Sequence, residues 1–289
     1  KETINGKEYY TIQTNEQGEL TADLTEGLYK AVEVQAPEQY DIEGQEYYFG
    51  IGASREEKTV QRTQWAKGIG GSSYDYIQSV AETSDGGYIA GGYFFSSSID
   101  LGNGVTLTNS GSYDGMIIKY DENGTVQWAK GIGGGGDDNI NSVAETSDGG
   151  IIAGGYFLSN SIELENGETL ENNSASVNYC DGMLIKYDTD GNLQWQKGIG
   201  SIGNDEITSV SETSDGGIIA GGYFSLNNID LGNGVILNNI QGTDDGMIIK
   251  YDKDGVAQWA KGIGGSRGDS INLVAETSDG GIIAGGYFR

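Results

Sequence analysis

Four tryptophans, Trp65, Trp128, Trp195 and Trp259, each open a near-identical stretch of chain, and that recurrence constrains the fold more than any other feature. The copies begin 63, 67 and 64 residues apart, read WAKGIGG or WQKGIGS, cross a polar loop and run into SVAETSDGGIIAGGYF with small variations. Three of them continue through a variable stretch with an Asn-Gly pair (Asn103-Gly104, Asn166-Gly167, Asn233-Gly234) to DGMIIKYDENGTVQ or a close variant, which leads into the next Trp.

Each unit reads as two hairpins. MIIKYD and TVQWAKGI flank Glu122-Asn123-Gly124, while INSVAET and IIAGGYF flank Ser147-Asp148-Gly149-Gly150, so four strands per unit are expected. Runs such as Met116-Ile117-Ile118 are apolar on both faces, as in a sheet sandwiched between neighbours. The side-chain-poor segment 152–155 predicts a crowded innermost strand. Helical periodicity is missing, which leaves radial closure into a propeller or linear stacking into a solenoid.

The expected fold is therefore all-β: a β-propeller of about 64-residue repeats, four four-stranded blades, closed by pairing of its terminal hairpins, over residues 46–289. The last copy stops half-way, and residues 46–64 are expected to supply the missing hairpin from Glu46 to Gly52 and from Thr59 to Trp65. Residues 1–45, which hold the only proline, form a separate small β segment. The first residue starts neither a leader peptide nor a domain, so the chain reads as a piece of something longer.

Composition narrows the chemistry. No histidine occurs, which removes the commonest general base and the commonest transition-metal ligand. One cysteine, Cys180, cannot form a disulfide within the chain. With 43 acidic against 16 basic residues the net charge is −27, which disfavours nucleic acid and anionic membranes; it serves solubility or attracts cations such as Ca²⁺. No apolar run is long enough to insert into a bilayer as a helix.

The text DGMIIKYDENGTVQWAKGIGG followed by SVAETSDGGYIAGGY resembles the bacterial β-propeller repeat family of secreted and surface proteins. The likeness covers all four copies and implies fold and a cell-surface setting, with no catalytic residues. Upstream, Thr14, Gly18, Leu24, Gly27, Tyr29, Glu33, Ala36, Pro37 and Tyr40 resemble the Cna protein B-type, or SpaA-like prealbumin, fold of Gram-positive adhesins. That resemblance places Glu33 on the acid that assists a Lys-Asn or Lys-Asp crosslink, but the strand carrying the family's lysine would lie before residue 1, so no crosslink is assigned.

Residues kept in every copy occupy equivalent places. Asp75, Asp138, Asp205 and Asp269 each lie ten residues after a Trp and would form a ring of carboxylates able to hold Ca²⁺, or else cap their own loops. Asp85, Asp148, Asp215 and Asp279 read as hairpin-turn residues, as do Asp121, Asp188 and Asp252. Glu82, Glu145, Glu212 and Glu276 are expected to pair across the sheet with Lys67, Lys130, Lys197 and Lys261. The tryptophans are expected to fill the wedge between blades.

No catalytic residue is assigned and no cofactor is required. The reading that follows is a non-enzymatic, extracellular binding module of a bacterial cell-surface protein, attached through regions outside this chain. A host or microbial protein or glycan would be its ligand, held by the variable loops 95–113, 158–179 and 225–244. A structural spacer, or a glycan-acting enzyme with paired carboxylates, are the alternatives.

Overall fold

A computed structural model of the chain describes residues 2–4, 7–9, 27–32, 46–51, 65–165, 167–174, 178–240 and 243–289. It divides into two compact units, Lys1–Gln64 and Trp65–Arg289. In the first, Glu2–Ile4 pairs with Lys7–Tyr9, and Gly27–Val32 pairs antiparallel with Glu46–Ile51 along its whole length. The strand expected to open the repeat domain thus belongs to a different sheet, and the other half of the expected hairpin lies outside the described residues. The local partner is favoured because joining Val32 to Glu46 closes a far shorter loop than reaching the end of the chain.

The second unit holds three four-stranded antiparallel sheets, here called blades. The first is Asp75–Glu82, Tyr88–Phe94, Asp114–Tyr120 and Val126–Ile132; the second is Asp138–Glu145, Ile151–Phe157, Asp181–Tyr187 and Leu193–Ile199. The third is Glu206–Glu212, Ile218–Phe224, Asp245–Tyr251 and Ala257–Ile263, and a two-stranded sheet, Ser270–Glu276 with Ile282–Tyr287, follows. Within every blade the strands lie side by side in chain order, as two linked hairpins require. The expected four closed blades are not found: among the described residues Ile282–Tyr287 pairs only with Ser270–Glu276, and no sheet closes on itself.

Both faces of each blade are covered. Met116 and Ile118 pack with Phe94, Ile99, Leu101 and Leu107, whereas Ile117, between them in sequence, packs with Ile89, Ile132 and the second blade's Ile140 and Val143. This is what an apolar run does when alternate side chains point to opposite sides of a buried sheet. The variable stretches contribute a second layer, for Ser98–Gly102 and Val105–Thr108 form a small hairpin whose Ile99, Leu101 and Leu107 cover the first blade. Equivalent small hairpins join Ser161–Glu163 to Thr169–Glu171 and Ile229–Asp230 to Ile236–Leu237.

Neighbouring blades meet through their first strands, so the innermost strand is SVAET and not the Ile-Ala-Gly-Gly strand expected from its small side chains. The glycines serve a different purpose. They make a flat seat on which the next blade's Ile and Val rest: a β-carbon at Gly91 would come within 2.6 Å of Val143, one at Gly154 within 2.6 Å of Ile207, and one at Gly221 within 2.5 Å of Val274. Each joint is pinned by two polar contacts, in which Ser79, Ser142 and Ser209 accept the amides of Val143, Val210 and Val274 at 3.1 Å. The amides of Ser84, Ser147 and Ser214 donate to Glu145, Glu212 and Glu276 of the following blade.

That last contact replaces the expected Glu-Lys ladder. The glutamate ends the first strand and the lysine lies on the fourth, so the two stand at opposite edges of one sheet and cannot meet; Lys130 reaches Glu165 at 2.7 Å instead. Trp128 and Trp195 bridge blades as expected, but from the rim, and Trp65, ahead of the first blade, makes the same contact with that blade's turn. Trp65, Trp128 and Trp195 lie on Gly124, Gly191 and Gly255 of the next blade's outer turn and donate to the carbonyls of Glu122, Thr189 and Lys253. Those glycines have φ of 74°, 80° and 75°, so the turn needs glycine both for its backbone and to leave the indole room.

Candidate functional site

One end of the blades gathers the loops that precede each first strand, the ends of the second strands, and the starts of the third. Three layers of side chains occupy it.

Asp75, Asp138, Asp205 and Asp269 lie here, each joining its own loop to the residues that follow the second strand. Asp75 accepts from the amides of Gly71, Phe95 and Ser96 and from the Ser96 hydroxyl; Asp138 accepts from Gly134 and from the amide and hydroxyl of Ser159. Asp205 accepts from Ser201 and Ser225, and Asp269 from Gly265 and Arg289. This is capping, in which a short carboxylate satisfies amides that a tight loop leaves unpaired. Among the described residues no three Asp, Glu or Cys side chains converge as a metal site would require.

Beneath them lies a set of acids that the sequence did not single out, the aspartates of the DGM motif. Asp114, Asp181 and Asp245 are fully buried beside Asp138, Asp205 and Asp269, and one carboxylate oxygen of each has no hydrogen-bond donor. Burial drives Asp114 up to about 6, against the Ser110 amide and with the charge of Asp138 adding to the rise. Burial likewise drives Asp205 up to about 7, opposed by the amides of Ser201 and Ser225 and reinforced by Asp181 and Asp244. An Asp114 carboxyl that keeps its proton in the fold carries no buried charge, which lowers the cost of its unpaired oxygen.

The sign of the resulting pH effect follows directly. A carboxyl whose folded pKa stands above its unfolded value of about 4 stabilises the fold below that value, and the contribution disappears as pH climbs through the folded value. The turn aspartates act in the opposite sense. Asp85 is held near 2 by hydrogen bonds from Lys119 and Thr83, so its contribution is present above pH about 4 and is lost toward pH 2. The melting temperature should therefore peak near pH 4 to 5 and decline toward pH 8, and Asp205→Asn should flatten the decline between about pH 5 and 8. A wild-type melting temperature that does not fall across that interval would contradict the assignment.

The turn aspartates were read from the sequence as hairpin residues, and they are that, but each also ends a chain of contacts. Lys119, Lys186 and Lys250 are buried on the third strands and reach Asp85 at 2.8 Å, Asp148 at 2.6 Å and Asp215 at 2.6 Å. Thr83 also accepts from Lys119 at 3.0 Å. In the outer turns Asp121, Asp188 and Asp252 each accept two amides of their own turn, as expected of a hairpin.

The third layer breaks the repeat. In the first blade Tyr76 stacks on Tyr93 at 5.0 Å, Tyr93 meets Tyr113 edge-on at 5.2 Å, and Phe95 lies against Tyr113 at 4.9 Å. Tyr74 stands beside them with 67% of its surface exposed, and Phe95 with 43%. Tyr93 recurs as Tyr156 and Tyr223, but the other four positions are Asp137, Asn139, Leu158 and Cys180 in the second blade and Asn204, Glu206, Ser225 and Asp244 in the third. There the same place is a polar network: Asn139 donates to Gln78 and Asn141, while Asn141 and Tyr223 donate to Glu206. Burial raises the Glu206 carboxyl, and it pushes the Cys180 thiol up to about 12, which leaves that thiol a poor nucleophile.

The comparisons with known proteins bear on both units. Over 190 residues, 62% of the chain is 28% identical to the regulatory protein FlaEY of Caulobacter vibrioides, covering 20% of that protein. An uncharacterized WD repeat-containing protein of Acanthamoeba polyphaga mimivirus is 21% identical over 70% of the chain and 17% of its own length. The chain thus spans about a fifth of the curated relatives it matches. Among solved structures, the WD40 β-propeller domain of Doa1 is 12% identical and aligns over 76% of this chain and 92% of that one, with a TM-score of 0.20. The expectation for the amino-terminal residues meets its counterpart in sequence, for residues 2–65 match the SpaA prealbumin-like fold domain.

Proposed function

We propose that the chain is a non-enzymatic binding module of a bacterial surface protein and that the aromatic cluster of the first blade is its contact surface. The observation that carries this reading is the break in symmetry. The blades repeat their strands, turns and joints, yet among them only the first places Tyr76, Tyr93, Phe95 and Tyr113 together, with Phe95 open to solvent and the exposed Tyr74 held at its backbone carbonyl by the Phe95 amide. Aromatic rings that are exposed and already ordered by their neighbours lose little conformational freedom on binding a ligand.

The ligand class that fits is a neutral or cationic one, such as a glycan or a basic peptide segment, because a net charge of −27 repels anionic partners. The SpaA prealbumin-like match supports a surface or structural role for the amino-terminal unit. Glycan and peptide arrays probed with the intact chain are expected to reveal binding that the Tyr74→Ala/Phe95→Ala double variant loses by at least about tenfold, the effect of removing aromatic anchors. Both side chains are exposed, so the variant should melt like the wild type. Binding no better than that of a charge-matched control would defeat the reading and favour a spacer.

A further inference from the structure

We infer that the seam between the second and third blades, where Glu206, Asn139, Tyr156 and Tyr223 come together, holds a primary ammonium group of the ligand; this deepens the reading of the chain as a binding module and rests on it. The starting point is a second break in the repeat. Tyr76, Asn139, Glu206 and Ser270 occupy one register position, each just before an isoleucine of its first strand, and only Glu206 is charged. It stands on an internal blade, with a described sheet before it and another after it in the chain.

Neutral donors alone hold this carboxylate. Asn141 donates to one of its oxygens at 2.7 Å and the Tyr223 hydroxyl to the other at 2.8 Å. Among the described residues every ion pair lies elsewhere, so no lysine or arginine there neutralises Glu206. A carboxylate drawn out of water without a cation is costly, and a cation that arrives with a ligand removes the cost. The orphaned acceptor beside it points the same way. Asn139 is only 4% exposed; its Nδ2 donates to Gln78 and to Asn141, the residue that holds Glu206, while its Oδ1 receives no donor.

The two phenols share the space. Burial pushes Tyr156 up to about 12, with Glu206, Cys180 and Asp137 adding to the rise and the Asn139 amide opposing it. Tyr223 is raised by burial and then by Glu206, Cys180 and Asp244. The groups around the seam are thus carboxylates, phenols, one thiol and an amide oxygen, a set that repels an anion and offers acceptors and ring faces to a cation. A primary ammonium suits it best. Its three donors match the Glu206 carboxylate, Asn139 Oδ1 and a phenol oxygen. A metal ion would need more carboxylates than converge among the described residues, and a planar guanidinium would compete for both Glu206 oxygens with Asn141 and Tyr223.

Lysine side chains and free amino sugars both carry this group, so the intact chain is titrated calorimetrically with a single-lysine peptide and with a glucosamine oligomer, each beside its N-acetylated counterpart. At least one free-amine probe should bind about tenfold or more tighter than its acetylated form, and the probe that does so names the source. Glu206→Gln should abolish that preference, because the charge that meets the ammonium is gone. Glu122→Gln, an equal change of net charge in an exposed turn, should retain it. Should Glu206→Gln melt early, Tyr156→Phe takes its place: loss of the phenol oxygen should weaken the free-amine probe and leave the acetylated one unchanged. Equal binding of free and acetylated probes, or a preference that Glu206→Gln and Tyr156→Phe both leave intact, overturns the inference. In either case, binding that the Tyr74→Ala/Phe95→Ala variant loses would leave the binding-module reading standing, whereas no binding to any probe would defeat both.

Discussion

Gly155→Ala is expected to destabilise the repeat unit by more than about 3 kcal/mol, enough to prevent the second blade from forming at physiological temperature. Gly155 lies opposite a β-bulge in the first strand, where Ile140 pairs with Gly155 and Ser142 with Gly154, leaving Asn141 as the extra residue. The bulge turns the carbonyl of Asn139 toward its partner strand, and a β-carbon on Gly155 would land on that oxygen. Backbone cannot step aside as a side chain can. The same bulge recurs opposite Gly92, Gly222 and Gly286, so the constraint is a property of the unit.

Two other glycines calibrate the effect. Gly154→Ala presses on the side chains of Ile207 and Val210, at 2.6 and 2.7 Å, and should cost about 1–3 kcal/mol because those groups can shift. Gly285→Ala meets nothing and should be neutral. Chemical denaturation of the three variants checks the order, and a Gly155→Ala protein as stable as the wild type would mean that the bulge is not there.

The second large effect is expected at a residue whose sequence context suggests only a turn. Asp148→Ala leaves the ammonium of Lys186 buried without its carboxylate partner, and breaking such a pair costs about 3 kcal/mol, the low end of the usual range because Asp148 itself is largely exposed. Replacing Lys186 by Met in the Asp148→Ala background removes the stranded charge and should restore much of the loss. Equal stability of the single and double variants in denaturant titrations would show that the lysine escapes to water instead.

How much of this was legible follows from what kind of information each feature needs. The repeat, its four strands and the turns at Asp148-Gly149 and Asn123-Gly124 are local, written in adjacent residues, and the sheets form where the apolar runs place them. The joint between blades is not local. The run Ile-Ala-Gly-Gly suggests crowding, but only the structure shows that the crowding comes from the next unit's Ile and Val, and hence that the strand ahead of it is innermost. The contact of Glu145 with Ser84 and that of Asp148 with Lys186 are illegible for a related reason: each crosses from one blade, or one hairpin, to another. A signal was available, since Lys119, Lys186 and Lys250 recur inside apolar runs where a cation must have a partner.

The chain ends were the hardest to read. Complementary half-units at the two termini suggested closure, yet Glu46–Ile51 satisfies its hydrogen bonds with Gly27–Val32, a competitor nearer in sequence. The aromatic cluster was hidden because Tyr76, Tyr93 and Tyr113 are scattered along the chain and come together only once the bulge has set the register of the first two strands.

The account stands on the joints between blades, where Ile and Val of one blade rest on the glycines of the blade before it. Hydrogen-deuterium exchange on the intact chain tests this most directly. Slow exchange is predicted across Asn139–Val143 and Ile207–Val210, with markedly faster exchange across Tyr76–Val80 and Ile283–Tyr287; equal protection of all four segments would contradict it.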